Sequence, residues 1–407
     1  MFNDPVNPMF ALAIFCVAFA FGSLLSKLSP EPKASARVSS LDGLRGVLVL
    51  AVFIAHSSVW YFYVKTGMWA LPPSNLFGNL GQASVALFFM ITGYLFFLKI
   101  LKGGGEAIDW AQIYISRVLR LTPLYLVTIL IVCAVVAINS DFTFVEPPAA
   151  VAREIINWLT FGISGMPDIN LLNGTAKIIS FVIWTLPYEW IFYLALPLLA
   201  LLTGAKINKT VICLSTLVLI LVIWRMGIPG PTQLSIFLGG IVAALCDRFL
   251  HARRFCAGNV ASIVAAICLI WALCGFSTAY AAAPILLLSV SFIIFACGNS
   301  FFGLLLHPSL RVIGDAGYSV YLLHGIILYV TFNTFVGSGS DLLESPRIFW
   351  GIIAALTVPL LSFCYFTFRF VEAPAMNSVG KVRLMVSSVI GPKAGNVRVK
   401  NSEPRTN

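Results

Sequence analysis

His56 stands within the apolar stretch 46–62, eleven residues after Arg45 of the run LDGLRG (41–46). An imidazole in hydrocarbon is costly to place and is by default a functional-site candidate. Eleven residues of helix rise about 16 Å, so an arginine at the membrane surface would lie about half a bilayer from that histidine. One helix would then carry an anion-binding group at the water interface and a titratable group inside. Such a pairing suits an enzyme that passes something from a charged, soluble donor into the membrane.

Two further arginines belong to the same chemistry. In ISRVLRLTPLY (115–125), Arg117 and Arg120 are three apart and share a helix face. Guanidinium groups bind phosphate through planar, bidentate donation. With Arg45 they could grip the phosphates of a nucleotide-like donor, or they could simply anchor the helix on the positive side. Glu189, in WTLPYEWIFYLALP (184–197), is the acid set well inside an apolar run. An ionised carboxylate there must be paired, protonated or in a wet cavity. Trp184, Trp190 and Tyr193 could line a cleft around it; the alternative is a structural salt bridge or interhelical hydrogen bond.

GDAGYSVYLLHG (314–325) supplies a second histidine within a span, His324, beside the hydroxyls of Tyr318, Ser319 and Tyr321. Small residues at 314, 316 and 317 permit close helix contact, so the group reads either as functional or as a structural polar cluster. His251 and His307 fall in loops and read as solvated. In RFVEAP (369–374), Arg369 and Glu372 have the i, i+3 spacing of an ion pair; Arg369 could also face the donor.

The elements that must hold these residues are membrane helices. Of 407 residues, 59% are hydrophobic and 10% charged, with a mean hydropathy of +0.94. A soluble domain carries about 25% charged residues. The apolar runs are long and lack the period of two of barrel strands, which predicts helices. Expected spans are 9–26, 46–63, 83–98, 124–138, 178–202, 211–224, 234–245, 261–276, 281–297, 312–332 and 349–368. The seventh and the sixth are the shortest in relation to the roughly 20 residues a crossing needs. The nine cysteines form no CxxC pair and read as small hydrophobes; no disulfide framework and no metal site is expected.

Charge placement tests that map. If the spans alternate and the segment 27–45 is cytoplasmic, 21 of the 26 Lys and Arg residues fall inside, as the positive-inside rule asks. Shifting the map by one span would reverse the bias. The net charge of +10 therefore reflects topology and membrane lipid. No basic–aromatic groove of the kind single-stranded nucleic acid requires is present.

The first run, preceded by MFNDPVNPMF with only Asp4 charged, lacks the basic start of a secretory signal. It reads as an uncleaved helix with its N-terminus outside, followed by a polar linker, SPEPKASAR (29–37). The stretch 139–177 lies outside; its paired prolines enforce a loop at 142–148, and AREIINWLTFGI (152–163) could lie on the membrane as an amphipathic helix. Three domains result: an extra helix and linker over 1–38, a membrane domain over 39–376, and a basic cytoplasmic tail over 377–407 with the composition of disorder.

The ordered set LDGLRG (41–46), His56 with Ser57, FFMITGYL (88–95), RVLRLTPLY (117–125), WTLPYE (184–189), GYSVYLLH (317–324) and RFVEAP (369–374) resembles the acyltransferase-3 family of multi-spanning O-acyltransferases. No single motif carries the resemblance; the order over residues 39–376 does. It implies an all-α integral membrane protein, a ten-helix core here preceded by one extra helix, in a bacterial inner membrane. It also implies transfer of an acyl group, usually acetyl, from cytoplasmic acyl-CoA to a hydroxyl of an exported or surface glycan or lipid-linked glycan, with polysaccharide-export machinery as a possible partner. Arg45 and His56 match the family's arginine–histidine element, and Arg117 and Arg120 its RxxR element. A mechanism built on these residues has the three arginines hold the phosphates of acetyl-CoA, His56 act as general base on the acceptor hydroxyl or as a transient acyl carrier, Glu189 orient the imidazole or an acceptor hydroxyl, and Trp184, Tyr318 and His324 serve the acceptor or stabilise charge.

The chain departs from the family pattern at WTLPYEWIFY, where WSLSxEEQFY is usual, so one glutamate stands where two often do. Many relatives also append a soluble esterase-like domain; without one, this chain would complete transfer alone or pass the acyl group to a separate partner. A proton-coupled transporter would explain His56, Glu189 and His324 equally well, but gives no reason for three arginines at one face. A non-catalytic component of polysaccharide export is a third class.

Overall fold

Hydrocarbon offers no partner to a backbone N–H or C=O, so each spanning segment must satisfy its own. The computed structural model describes residues 3–28, 39–103, 108–227, 230–335 and 345–390. Within them the chain is about 80% helical with no strand. The first half comprises α1 (Pro8–Leu28), α2 (Ser39–Thr66), α3 (Asn75–Lys102), α4 (Trp110–Asn139), α5 (Pro148–Leu159), α6 (Leu186–Leu201) and α7 (Lys209–Met226). The second half comprises α8 (Pro231–Cys246), α9 (Leu250–Cys256), α10 (Asn259–Cys274), α11 (Ala282–Ala296), α12 (Pro308–Asp315), α13 (Gly317–Tyr329), α14 (Pro346–Thr367), α15 (Ala373–Asn377) and α16 (Val379–Ile390).

Among the described residues, seven helical stretches are long and apolar enough to cross a membrane, and α8–α9 and α12–α13 would add two more as spans bent by 107° and 73°. The apolar helices α10 and α11 are shorter. All eleven expected spans therefore have a helical counterpart, and the fold is that of an all-α, multi-pass membrane protein. The linker 29–38 lies outside the described residues.

Glycines of the sequence motifs set the central packing. A methyl group at Gly43 would collide with the carbonyl of Leu305, one at Gly46 with that of Leu310, and one at Gly314 with that of Asp42. The start of α2 is thereby pressed backbone to backbone on α12, with Asp42 and Arg45 held beside it. Gly240 of α8 seats in the same manner against the Met90 carbonyl of α3. Small residues are what allow this approach where lipid tails remove the hydrophobic drive. Outside this centre, α1 packs on α12 and α14, joined by the Ser23 and Ser309 hydroxyls at 2.6 Å.

Three expectations are corrected. The span expected from 178 begins late: residues Thr175–Ile179 and Val182–Thr185 are separate 3-10 turns, and α6 starts only at Leu186. Between the turns Ser180 and Phe181 take left-handed φ of +50° and +59°, a conformation unfavourable by roughly 1–2 kcal/mol per residue outside glycine. Their neighbours hold them there. The Asp168 carboxylate accepts from the amides of Gly174 and Thr175, each at 2.9 Å, and Gly325 leaves room for Ile179 against α13. The surface helix expected at 152–163 is α5, which starts earlier because Pro148 opens its first turn. The tail expected to be unstructured from 377 carries α16, docked on α4 with Arg383 Nε 2.9 Å from Asp109; residues 391–407 lie outside the described residues. All nine cysteines are free thiols.

Candidate active site

The expected arginines converge. A cavity of about 440 Å³ is lined by Asp42 and Arg45 of α2, Lys99 and Lys102 of α3, Arg117 and Arg120 of α4, and Glu189 and Tyr193 of α6. Tyr318 and Tyr321 of α13 and Met376 of α15 complete it. Five cationic side chains thus face three acidic ones, Asp42, Glu189 and Asp315. Part of that positive charge is already engaged, because Arg45 Nη1 pairs with Asp42 at 2.7 Å. Arg117 is held over rings, 5.0 Å from the Phe96 centroid and 5.9 Å from that of Tyr193, while its Nε is buried with no hydrogen-bond partner. Arg120 Nη1 lies 3.4 Å from the Met376 sulfur. Among the described residues neither Arg117 nor Arg120 forms a salt bridge with a carboxylate.

The cavity is deep. It extends along α3 from Lys102 at the basic end to Val85, a helical rise of about 25 Å. Val85, Phe88, Thr185 and Tyr321 line its inner end. The Tyr321 hydroxyl donates to the Val182 carbonyl at 2.9 Å and stands 2.9 Å from the Thr185 hydroxyl, which ties α13 to the 3-10 segment. The Phe88 and Tyr321 rings lie 6.4 Å apart.

His56 and His324 sit just beyond that end and are not among the lining residues. Gly81 of α3 packs on Ala55 of α2, so that a methyl at Gly81 would stand 3.2 Å from Ala55 Cβ. His56 is therefore about one helical turn past Val85, the innermost lining residue of α3. The Tyr321 ring, at the cavity's end, is 6.5 Å from that of His324. The two histidines touch: His324 Nε2 is 3.0 Å from His56 Nδ1. His324 is fully buried and His56 only partly so.

The remaining candidates are distributed differently from expectation. Glu189 does not reach either histidine; it lies in the first turn of α6 and accepts the Tyr193 hydroxyl at 2.7 Å. Its carboxylate lines the arginine cavity, on the same wall system as Arg45, Arg117 and Arg120. Trp184 is edge-on to Tyr188 and Tyr280 at 5.9 and 6.3 Å, outside the cavity. Tyr318 lines the cavity, with its hydroxyl donated to the Leu121 carbonyl at 3.1 Å. The expected Arg369–Glu372 pair is absent, because residues Phe368–Glu372 form a π-helical turn that breaks the i, i+3 alignment of an α-helix. Arg369 turns to the Tyr365 hydroxyl and the Leu28 carbonyl. Glu372 turns inward and accepts from the Ser319 hydroxyl, leaving Oε2 without a partner. His307 is no solvated loop residue: its Nδ1 accepts from Ser309 N at the start of α12, and its ring packs 4.4 Å from that of Phe19.

Sequence reasoning missed Lys99, Lys102, Thr185 and Phe88. The lysines carried a signal, since their spacing of three at the end of α3 repeats that of Arg117 and Arg120. Phe88 and Thr185 lay within the quoted motifs FFMITGYL (88–95) and WTLPYE (184–189), but nothing in either motif singled them out, because only the fold brings them together.

Residues 38–366 match the acyltransferase-3 family, described as an acyltransferase domain. Over 169 residues the chain is 27% identical to the acyltransferase MdmB of Streptomyces mycarofaciens. That similarity covers 41% of this chain and about two fifths, 40%, of the relative's length. No solved structure matches.

Proposed function

Because this chain belongs to the acyltransferase-3 family, we propose that it transfers an acyl group, acetyl in the first instance, from cytoplasmic acyl-CoA to a hydroxyl of an exported or cell-surface glycan. It is a multi-pass membrane acyltransferase; the donor, the acceptor and a bacterial inner membrane with the basic end cytoplasmic are the finer parts of the reading. The observation that carries it is the basic cavity that runs from one end of the bundle to within a helical turn of His56.

An acyl-CoA is a thioester at the tip of an extended arm, with phosphates at the other end. Arg45, Arg117, Arg120, Lys99 and Lys102 match the phosphates in charge, and Arg117 and Arg120 add the planar donor geometry suited to them. The inner part, lined by Phe88, Thr185 and Tyr321, suits the arm. Glu189 and Tyr193 act on the donor side, fixing the ring on which Arg117 rests. At the inner end His56 acts as general base on the acceptor hydroxyl. Holding thioester and hydroxyl beside one base converts an encounter into an oriented reaction.

The test is acetyl-CoA consumption by the purified chain in nanodiscs, read as free CoA, for wild type, His56→Ala and the double variant Arg117→Ala/Arg120→Ala. The expected pattern is turnover that requires His56, and donor binding that weakens in the arginine variant. A folded wild type that neither binds nor consumes acetyl-CoA or longer acyl-CoAs, with candidate glycans supplied, removes the donor reading and brings the proton-coupled transporter forward.

A further inference from the structure

The hydrogen bonds of the histidine pair fix which nitrogen of His56 is bare. His324 Nδ1 is 2.8 Å from the Val320 carbonyl, its Nε2 is 3.0 Å from His56 Nδ1, and His56 Nδ1 is also 3.1 Å from the Val52 carbonyl. A carbonyl oxygen only accepts, so His324 Nδ1 carries a hydrogen, and in the neutral ring its Nε2 is then an acceptor. The hydrogen it accepts is the one on His56 Nδ1, shared with the Val52 carbonyl. That leaves the lone pair of neutral His56 on Nε2. Among the described residues no carboxylate hydrogen-bonds to either ring.

We propose that His324 is a positioning residue that holds His56 in its Nδ1–H form, so that Nε2 is the atom that takes the acceptor's proton. The arrangement follows the logic of a base oriented by a third group, with an imidazole in the place a carboxylate takes in Ser–His–Asp sites. It rests on the transferase reading above. As the acceptor oxygen bonds to the thioester carbonyl carbon, its proton passes to His56 Nε2. When the carbon–sulfur bond breaks, the thiolate takes that proton back, so an ester and a free thiol leave and both rings are neutral again. Throughout, His56 Nδ1–H keeps its bond to His324 Nε2.

A neutral partner suits this depth. A buried carboxylate brings its own desolvation cost and would need pairing throughout the cycle. An imidazole acceptor orients the ring without a permanent charge, and the imidazolium exists only while the proton is in transit.

The experiment uses the full chain in nanodiscs with 15N-labelled histidine, His56 being identified by the signal lost in His56→Gln. The expected wild-type spectrum has a protonated Nδ1 and a bare Nε2 on His56. His324→Ala should lose that preference, whereas His324→Gln, whose side-chain carbonyl can accept the Nδ1 hydrogen, should keep it. In acetyl-CoA turnover, His324→Ala should lower kcat by about 10²- to 10⁴-fold, the range that general-base catalysis contributes, its upper end being the scale of tautomer loss in a Ser–His–Asp site. Donor Kd should stay within about twofold, and His324→Gln should recover at least about tenfold in kcat. Wild-type His56 protonated on Nε2, His324→Ala at wild-type kcat, or Ala and Gln equally impaired, would each overturn the proposal. If wild type consumes no acyl-CoA, the donor reading fails on its own, while the 15N spectrum still decides the tautomer.

Discussion

The Tyr193 hydroxyl donates to Glu189 Oε2 at 2.7 Å, and the Arg117 guanidinium lies 5.9 Å from the centroid of the same ring. Carboxylate, phenol and guanidinium thus form one chain of contacts on the wall of the basic cavity, with no hydrogen bond to either histidine among the described residues.

For Glu189 this separates two substitutions. Glu189→Gln can still accept the Tyr193 hydroxyl, so the variant should fold, bind donor and retain kcat within about tenfold. Glu189→Ala leaves a buried hydroxyl unpaired and should cost about 1–3 kcal/mol in stability, read by thermal unfolding in detergent. A fall in kcat of several orders of magnitude in Glu189→Gln would return the carboxylate to the reaction itself.

Arg117 offers a sharper contrast. Its guanidinium lies over Phe96 and Tyr193 with Nε unpartnered, a placement that lysine, a compact point charge, does not reproduce. Arg117→Lys and Arg117→Ala should therefore both raise the Kd for acetyl-CoA about tenfold, equivalent to about 1.4 kcal/mol. Calorimetric titration at two salt concentrations measures it. Wild-type affinity in the lysine variant would mean that charge alone matters there.

Gly46 and Gly314 leave no space for a Cβ against the backbones of α12 and α2. Gly46→Ala should force those helices apart at a cost of about 1–3 kcal/mol or more, with lower yield of folded protein and loss of donor binding as Asp42 and Arg45 move. Unfolding at the wild-type temperature in the alanine variant would show that the contact can relax.

Arg383 pairs with Asp109 at 2.9 Å, but both side chains are partly exposed, at 28% and 40%. Exposed pairs contribute about 0–1 kcal/mol. Arg383→Ala should leave unfolding temperature and turnover nearly unchanged in a comparative melt and rate assay; a large loss in either would give α16 a role in holding the donor site.

Spacing of apolar runs was enough to place α2, α3 and α4 and to put Arg45 and His56 on one helix and Arg117 and Arg120 on another. What it could not supply were contacts that cross the chain. His56 meets His324 across 268 positions, and nothing in either motif names the other. The Arg369–Glu372 expectation failed because it assumed α-helical geometry through a π-turn. The late start of α6 escaped notice for a related reason. Residues 178–185 are apolar enough for a helix, and only the left-handed pair at 180 and 181, held by neighbours distant in sequence, breaks it.

The short helices on one flank bear on the lipid around the protein. α10 has 16 residues and α11 has 15, about 24 and 22 Å of rise, against about 42 Å for the 28 residues of α3. A hydrocarbon layer near 30 Å is thicker than the first two can match, so if both cross it the bilayer beside them must pinch or polar ends must reach outward. A crossing there would make the annulus uneven in thickness, and membranes of thinner hydrocarbon should seat this flank with the least distortion.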